Sequence, residues 1–119
     1  MITLFGIKNC DTVKKARRWL EVQSIDYRFH DIRADGLHQE QVAMWLETIG
    51  VETLVNKRST TWKGLSDDDK ASLSAKTAVQ FILEHPTLMK RPLLEVHEQE
   101  QQTQVHVGFK DAQYQALFA

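Results

Sequence analysis

The stretch Ile2-Thr3-Leu4-Phe5-Gly6-Ile7-Lys8-Asn9-Cys10-Asp11-Thr12-Val13 passes from a short apolar run through a polar corner into a helical pattern. Residues 1–6 read as a buried strand, and Val13, Ala16 and Leu20 then recur at helical spacing beside Trp19. Cys10, the single cysteine of the chain, therefore stands at the start of that helix. Unpaired backbone N–H groups and the positive end of the helix dipole favour a thiolate there. Lys8 and Lys14 add positive charge wherever their side chains turn toward the sulfur. A lone cysteine is commonly a small core hydrophobe, but Lys8, Asn9, Asp11 and Thr12 make this segment an exposed strand-to-helix corner. Cys10 is accordingly a candidate nucleophile.

Outward from this corner, Ile25, Tyr27 and Phe29 alternate with Asp26, Arg28 and His30, the period of a second strand. A strand, helix and strand in succession predict a parallel pair with a right-handed crossover. Val42, Leu46 and Ile49 with Trp45 give a helix over Leu37–Ile49 that Gly50 ends. Val51–Gly64 shows no clear period and reads as a loop. Ser66 and Ser74 precede two short helices as hydroxyl caps, and the second of these must stop at His85, ahead of Pro86. Leu93–Val96 and Gln104–Val107 read as an antiparallel hairpin joined by the polar stretch Glu98–Thr103. Gly108 ends the hairpin, and a closing helix over Lys110–Phe118 offers Ala112, Leu117 and Phe118 to the core. The chain thus reads as one domain over 1–119 with a helical lobe inserted at about 37–85.

With 15 basic and 16 acidic residues, the net charge of -1 provides no general attraction to nucleic acid or anionic lipid. Lys14, Lys15, Arg17 and Arg18 on the first helix read as a solvated face in preference to an anion-holding patch. No apolar run approaches membrane-spanning length, and the N-terminus lacks the pattern of a secretory signal, so the expectation is a cytoplasmic protein with neither a membrane nor a nucleic-acid partner. One cysteine excludes an internal disulfide framework.

Several chemistries fail on spacing. A Cys-x-x-Cys pair needs sulfur where Val13 stands, and a phosphatase-type Cys-x5-Arg loop needs arginine where Ala16 stands. His30, His38, His85, His97 and His106 show no short pairing, so no metal is expected. Dispersed glycines give no phosphate-binding loop. What survives is a thiolate whose second sulfur, or electrophile, comes from outside the chain; glutathione is the natural small thiol. Arg91-Pro92, just ahead of the hairpin, is the second notable site, because proline suits a strand's beginning and X-Pro is the bond at which cis is cheap. On residue type alone an ordinary trans bond is preferred there.

The string Gly6-Ile7-Lys8-Asn9-Cys10-Asp11-Thr12, the inserted lobe, Lys90-Arg91-Pro92-Leu93 and Val107-Gly108-Phe109 together resemble the arsenate reductase (ArsC) and Spx family, most closely its YffB-like subgroup. The resemblance covers nearly the whole chain. It implies an α/β thioredoxin-like fold, a central mixed four-stranded sheet flanked by helices. It also implies Cys10 as nucleophile, Arg91 as an oxyanion-holding residue and Pro92 as the cis-proline that faces the cysteine. In arsenate reductases of this type the cysteine attacks arsenate, glutathione attacks the adduct, and glutaredoxin reduces the mixed disulfide. The family's other two anion-binding arginines are replaced: one falls near Asn56, with Lys57 and Arg58 alongside, and the other near Phe109-Lys110. Lysine's point charge does not reproduce arginine's planar grip on a tetrahedral oxyanion.

The expectation is therefore a glutathione-dependent thiol-disulfide reductase with Cys10 catalytic, in which Lys8, Asn9, Lys57, Arg58, Arg91 and Pro92 bind glutathione. Glutathione serves as co-substrate, no cofactor is tightly bound, and glutaredoxin and an oxyanion such as arsenate are candidate partners. Two other readings stay open: a true arsenate reductase recycled by glutathione and glutaredoxin, and an Spx-like regulator that binds RNA polymerase without catalysis. The absence of a Cys-x-x-Cys switch counts against the second.

Overall fold

Four strands assemble in the order β2-β1-β3-β4, with β1 spanning Ile2–Gly6, β2 Arg28–Asp31, β3 Leu93–Val96 and β4 Gln104–Val107. β1 runs parallel to β2 and antiparallel to β3, and β3 runs antiparallel to β4. A parallel pair needs a crossover connection, and α1 (Asp11–Val22) supplies it. The computed structural model describes residues 1–97 and 103–118; most of the expected connection Glu98–Thr103 lies outside them. The chain divides into two compact units, one of Met1–Ala34 with Arg91–Ala119 and the other Asp35–Lys90, so the lobe extends slightly beyond the expected 37–85.

In the first unit β1 is central and nearly sealed, which is why its sequence is a continuous apolar run. Leu4 and Leu94 face the stripe Ala16 and Leu20 of α1, and Tyr114 of α7 (Asp111–Phe118) completes this core. The expected contribution of Ala112 is not made: Ala112 is exposed, Leu117 and Phe118 are half-buried, and Tyr114 is the residue of α7 that is fully enclosed. Its ring meets Trp19 and Phe109 edge-on, with centroids 5.5 and 4.7 Å apart. Such contacts contribute about 0.5–1.5 kcal/mol each beyond burial. They offset a hydroxyl that has no hydrogen-bond partner among the described residues and whose acidity burial suppresses.

β2 starts three residues later than the alternation at Ile25 suggests. The turn after α1 holds Ser24 at φ 57, in the left-handed region, and closes with Ser24 N–H donating to the Glu21 carbonyl at 3.1 Å and Ile25 N–H to the Leu20 carbonyl at 2.9 Å. Tyr27 turns back to α1, where its hydroxyl accepts from Arg17 Nε and donates to Glu21 Oε1, each at 3.0 Å. Only from Arg28 does the chain pair with β1.

The second unit contains α2 (Gln39–Ile49), α3 (Val51–Leu54), α4 (Thr60–Lys63), α5 (Asp67–Ala71), α6 (Ala75–Glu84) and a 3-10 turn at Pro86–Leu88. α2 packs against α6, burying Val42, Trp45 and Leu46 with Ala78 and Ile82. The caps work as expected: Ser66 accepts from Asp69 N–H and Ser74 from Thr77 N–H, and α6 stops before Pro86. The expected loop at Val51–Gly64 instead holds two single-turn helices. Ser59 caps the second by accepting from Trp62 N–H at 3.1 Å, and each helix is too short to display a period.

His106 on β4 pairs with Leu94, and burial lowers its affinity for a proton. The unfolded chain then binds a proton that the folded chain resists, so stability falls as pH drops below about 6.5, the free imidazole value. His106→Gln is expected to flatten that part of the stability–pH curve. Urea unfolding at a series of pH values between neutral and mildly acidic checks it.

Candidate active site

Beyond Gly6 the chain makes a tight turn in which Cys10 N–H donates to the Ile7 carbonyl at 3.4 Å, leaving Lys8 and Asn9 at its exposed corners. Gly6 lets this turn sit close against the helix: a Cβ there would stand 2.7 Å from Val13 Cγ2. Cys10 is the N-cap of α1, with φ -93 and ψ 124, and its carbonyl accepts from Lys14 N–H at 2.9 Å. The thiol is partly exposed and makes no capping hydrogen bond, so the first-turn N–H groups beside it remain available to an anion. Asp11, also in the first turn, opposes part of that positive potential.

The register places Arg91-Pro92 at the same end of the sheet. Leu93 lies opposite Phe5, so the chain enters β3 where β1 runs out into the Cys10 turn. The Arg91-Pro92 bond is cis, as the resemblance implies and contrary to the preference drawn from residue type. Pro92 is buried, and its carbonyl accepts from Gly108 N–H at 2.9 Å. The exits of β2 and β4 also fall here, since Gly6 pairs with Asp31 and Leu93 with Val107. The carboxyl end of a parallel pair is where open α/β sheets bind ligands.

Lys8, Asn9, Cys10, Arg91 and Pro92 thus share one end of the sheet. Lys57 and Arg58 belong to the unit Asp35–Lys90. Lys57 Nζ lies 3.2 Å from Glu52 Oε2 and 5.7 Å from the centre of the Trp62 ring, so its charge already has an acidic neighbour. That pair is solvent-exposed and accordingly weak. Asn56 builds its own turn, its side-chain oxygen accepting from Arg58 N–H at 3.0 Å. Phe109 packs on Tyr114 and brings no charge. Arg17 stacks 4.1 Å above the Phe29 ring, which removes it from any grip on an oxyanion at Cys10.

Histidine 30 stacks on Phe5, its ring centroid 4.8 Å away. Strand alternation puts Phe5 on the opposite sheet face from Leu4, which meets α1. His30 is therefore on the wrong side to act as a base for Cys10. Among the described residues no cluster of three or more histidine, cysteine or acidic side chains is arranged to hold a metal ion, and no helix is long and apolar enough to cross a membrane.

One residue escaped the sequence reading. Asp31, the last of β2, accepts from Arg33 N–H at 2.9 Å and Ala34 N–H at 3.0 Å. The Ala34 hydrogen bond foremost, with the Arg33 bond and the Lys8 and Arg33 charges, holds its carboxyl below the ordinary range against a smaller opposing effect of burial. Only the register with Gly6 brings it near the cysteine turn, and no local pattern announces that pairing.

A mixed four-stranded sheet with a lone cysteine capping the helix after its first strand, opposite the entry of a cis-proline, defines the thioredoxin-like class. The ArsC family model matches residues 5–117, and the chain belongs to the ArsC family. An uncharacterized protein of Haemophilus influenzae is 45% identical over the full length of both chains. The global transcriptional regulator Spx of Lactococcus lactis is 29% identical over 98% of this chain and 86% of its own. Among solved structures, a YffB protein superposes with a TM-score of 0.92 at 38% identity, covering all of both chains. An arsenate reductase (ArsC) related protein from Brucella melitensis gives 0.73 at 43% identity over 98% of this chain and 93% of that one.

Proposed function

We propose that the protein is a glutathione-dependent thiol reductase in which Cys10 works as a monothiol. The observation that carries this is a partly exposed thiol at a helix N-cap in a chain with no second cysteine. The Cys10 thiolate attacks the glutathione sulfur of a mixed disulfide R–S–S–G, forming Cys10–S–S–G and expelling RS⁻, which takes up a proton. A second glutathione, as thiolate, attacks the glutathione sulfur of Cys10–S–S–G, releasing oxidised glutathione and restoring the Cys10 thiolate. In net terms R–S–S–G and one glutathione thiol give RSH and oxidised glutathione, so the disulfide passes from the substrate to glutathione.

In this reading Arg91 and Lys8 meet the carboxylates of glutathione, Asn9 presents its amide at the turn, and the backbone at Pro92 lies along the peptide. Lys57, already beside Glu52, is not needed. Arg91→Ala is expected to raise the KM for glutathione roughly tenfold, the loss of one charge-assisted hydrogen bond. Its thermal midpoint should change little beside the change in KM, because the half-buried Arg91 is not one of the residues that form the buried core. Loss of folding in this variant would make the role of Arg91 structural.

The assay is reduction of a small glutathione mixed disulfide, followed by coupling the oxidised glutathione formed to NADPH through glutathione reductase. Turnover with this substrate and none with arsenate is the expected result. Arsenate turnover in the presence of glutathione and glutaredoxin, without mixed-disulfide turnover, would favour the arsenate reductase reading, which the likeness to the Brucella melitensis protein supports. Inactivity in both, with capture of RNA polymerase subunits, would favour the regulator reading, which the likeness to Spx supports.

A further inference from the structure

We infer that Arg17 anchors a second anion-binding subsite, on the flank of α1 that faces β2, which takes the phosphate group of a phosphate-bearing substrate thiol while Cys10 engages the disulfide. The inference rests on the reading of Cys10 as the reacting thiol and names the class of thiol, R in R–S–S–G, that the site accepts.

The guanidinium of Arg17 is held in place by a ring and a hydroxyl. Its Cζ lies 4.1 Å from the centre of the Phe29 ring, and its Nε donates to the Tyr27 hydroxyl at 3.0 Å. That hydroxyl donates in turn to Glu21 Oε1 at 3.0 Å, which turns its lone pairs to Arg17. Among the described residues no carboxylate forms an ion pair with Arg17, and its terminal Nη groups meet no acceptor. Glu21 reaches the guanidinium only through the Tyr27 hydroxyl. The planar fork is therefore half-buried and already oriented, with the donors of its Nη edge still to be satisfied. Such a fork matches the oxygens of a phosphate and loses little side-chain freedom when one binds.

Helical spacing joins this fork to the thiol. Lys14 N–H donates to the Cys10 carbonyl at 2.9 Å, one turn into α1, and Arg17 follows three residues later. Cys10, Lys14 and Arg17 thus succeed one another along a single flank, and the contacts with Tyr27 and Phe29 fix that flank as the one beside β2. At ~1.5 Å per residue, Arg17 stands about 10 Å along the axis from Cys10. That is too far to grip an anion at the sulfur and within reach of the far end of a substituent bonded there. Lys14, exposed between the two, adds positive charge along the way. Because β1 lies between β2 and β3, the arms of a disulfide at Cys10 divide: glutathione toward Arg91-Pro92 at the entry of β3, and R along α1 on the β2 side. With an arginine and a lysine in line, a doubly charged phosphate gains more than a single carboxylate.

The test uses the full chain and three glutathione mixed disulfides whose R is an alkyl chain long enough to span two helical turns, ending in phosphate, carboxylate or hydroxyl. The KM for the phosphate form is expected to lie roughly five- to tenfold below that for the hydroxyl form at low salt, the gain of a charge-assisted contact. The carboxylate form should fall between them. Arg17→Gln should bring the phosphate and hydroxyl values together. Tyr27→Phe, which keeps the ring and removes the hydroxyl that holds Nε, should lose part of the preference, as should Lys14→Met. Arg17→Gln lowering turnover of all three forms alike, with the KM ratio intact, would make Arg17 structural and overturn the subsite. Equal values for the phosphate and hydroxyl forms in the unmodified chain would also overturn it, while leaving the proposed function standing. A carboxylate form favoured as strongly as the phosphate form would overturn the assignment to phosphate. If no form is turned over, the proposed function fails and a titration with inorganic phosphate decides the subsite alone. A saturable shift of the Arg17 Nε–H resonance at millimolar phosphate supports it, and no shift overturns it.

Discussion

Cys10→Ser is expected to reduce glutathione-linked turnover to the uncatalysed background while leaving the protein at least as stable as before. The two halves of this result have separate causes. Serine is among the best N-cap residues, because its oxygen accepts from the second or third backbone N–H of the helix. Cys10 makes no such bond. Placing a hydroxyl there should satisfy a donor in the first turn of α1 and add about 0.5–1 kcal/mol, a few degrees in Tm. A serine hydroxyl at neutral pH is a far weaker nucleophile than a thiolate and forms no disulfide. A cap that serine would fill better is thus occupied by the residue the chemistry needs. The pair of measurements is a thermal melt and the coupled assay, and retention of turnover by Cys10→Ser would remove this thiol from the mechanism.

Gly6→Ala is expected to lower stability by about 1–3 kcal/mol, as overpacking of a closed interior does. The reason is space and not backbone conformation: an added Cβ would lie 2.7 Å from Val13 Cγ2 and 3.0 Å from Cγ1. Val13 cannot swing aside, because it is fully buried on α1 and a β-branched side chain in a helix is confined almost to one rotamer. The strain must be relieved by moving α1 away from β1, and Cys10, capping that helix, moves with it. Thiol reactivity should therefore fall along with stability. Truncating the obstacle in the Gly6→Ala/Val13→Ala double variant should give a loss smaller than the sum of the two single losses, by about 0.5–3 kcal/mol. Urea unfolding of the four proteins gives that coupling, and simple additivity would show that the two residues do not press on each other.

Features of the fold that depend on near neighbours in the chain were legible in the sequence. The apolar run 2–6, the stripe Val13-Ala16-Leu20, the caps Ser66 and Ser74, and the stop before Pro86 all appear where residue type and spacing place them. Features that depend on partners distant in sequence were not. Ala112 and Tyr114 are both apolar enough to be buried, and only the packing of α7 on Trp19 and Leu94 selects Tyr114. The single-turn helices α3 and α4 are shorter than the window in which a period can be recognised. In the site, Cys10 and its turn were readable because a strand, a polar corner and a helix follow each other directly. The engagement of Lys57 by Glu52 is hidden, since the segment reads as a loop with no spacing rule to pair them. Asp31 was hidden behind a ladder register that links it to Gly6.

Mass spectrometry of the intact protein after incubation with oxidised glutathione, followed by peptide mapping, tests the central claim most directly. The account predicts a single glutathione adduct, located on Cys10, formed within minutes at neutral pH and removed by added reduced glutathione. A thiol that stays unmodified under these conditions, though it alkylates freely once the chain is unfolded, would contradict it.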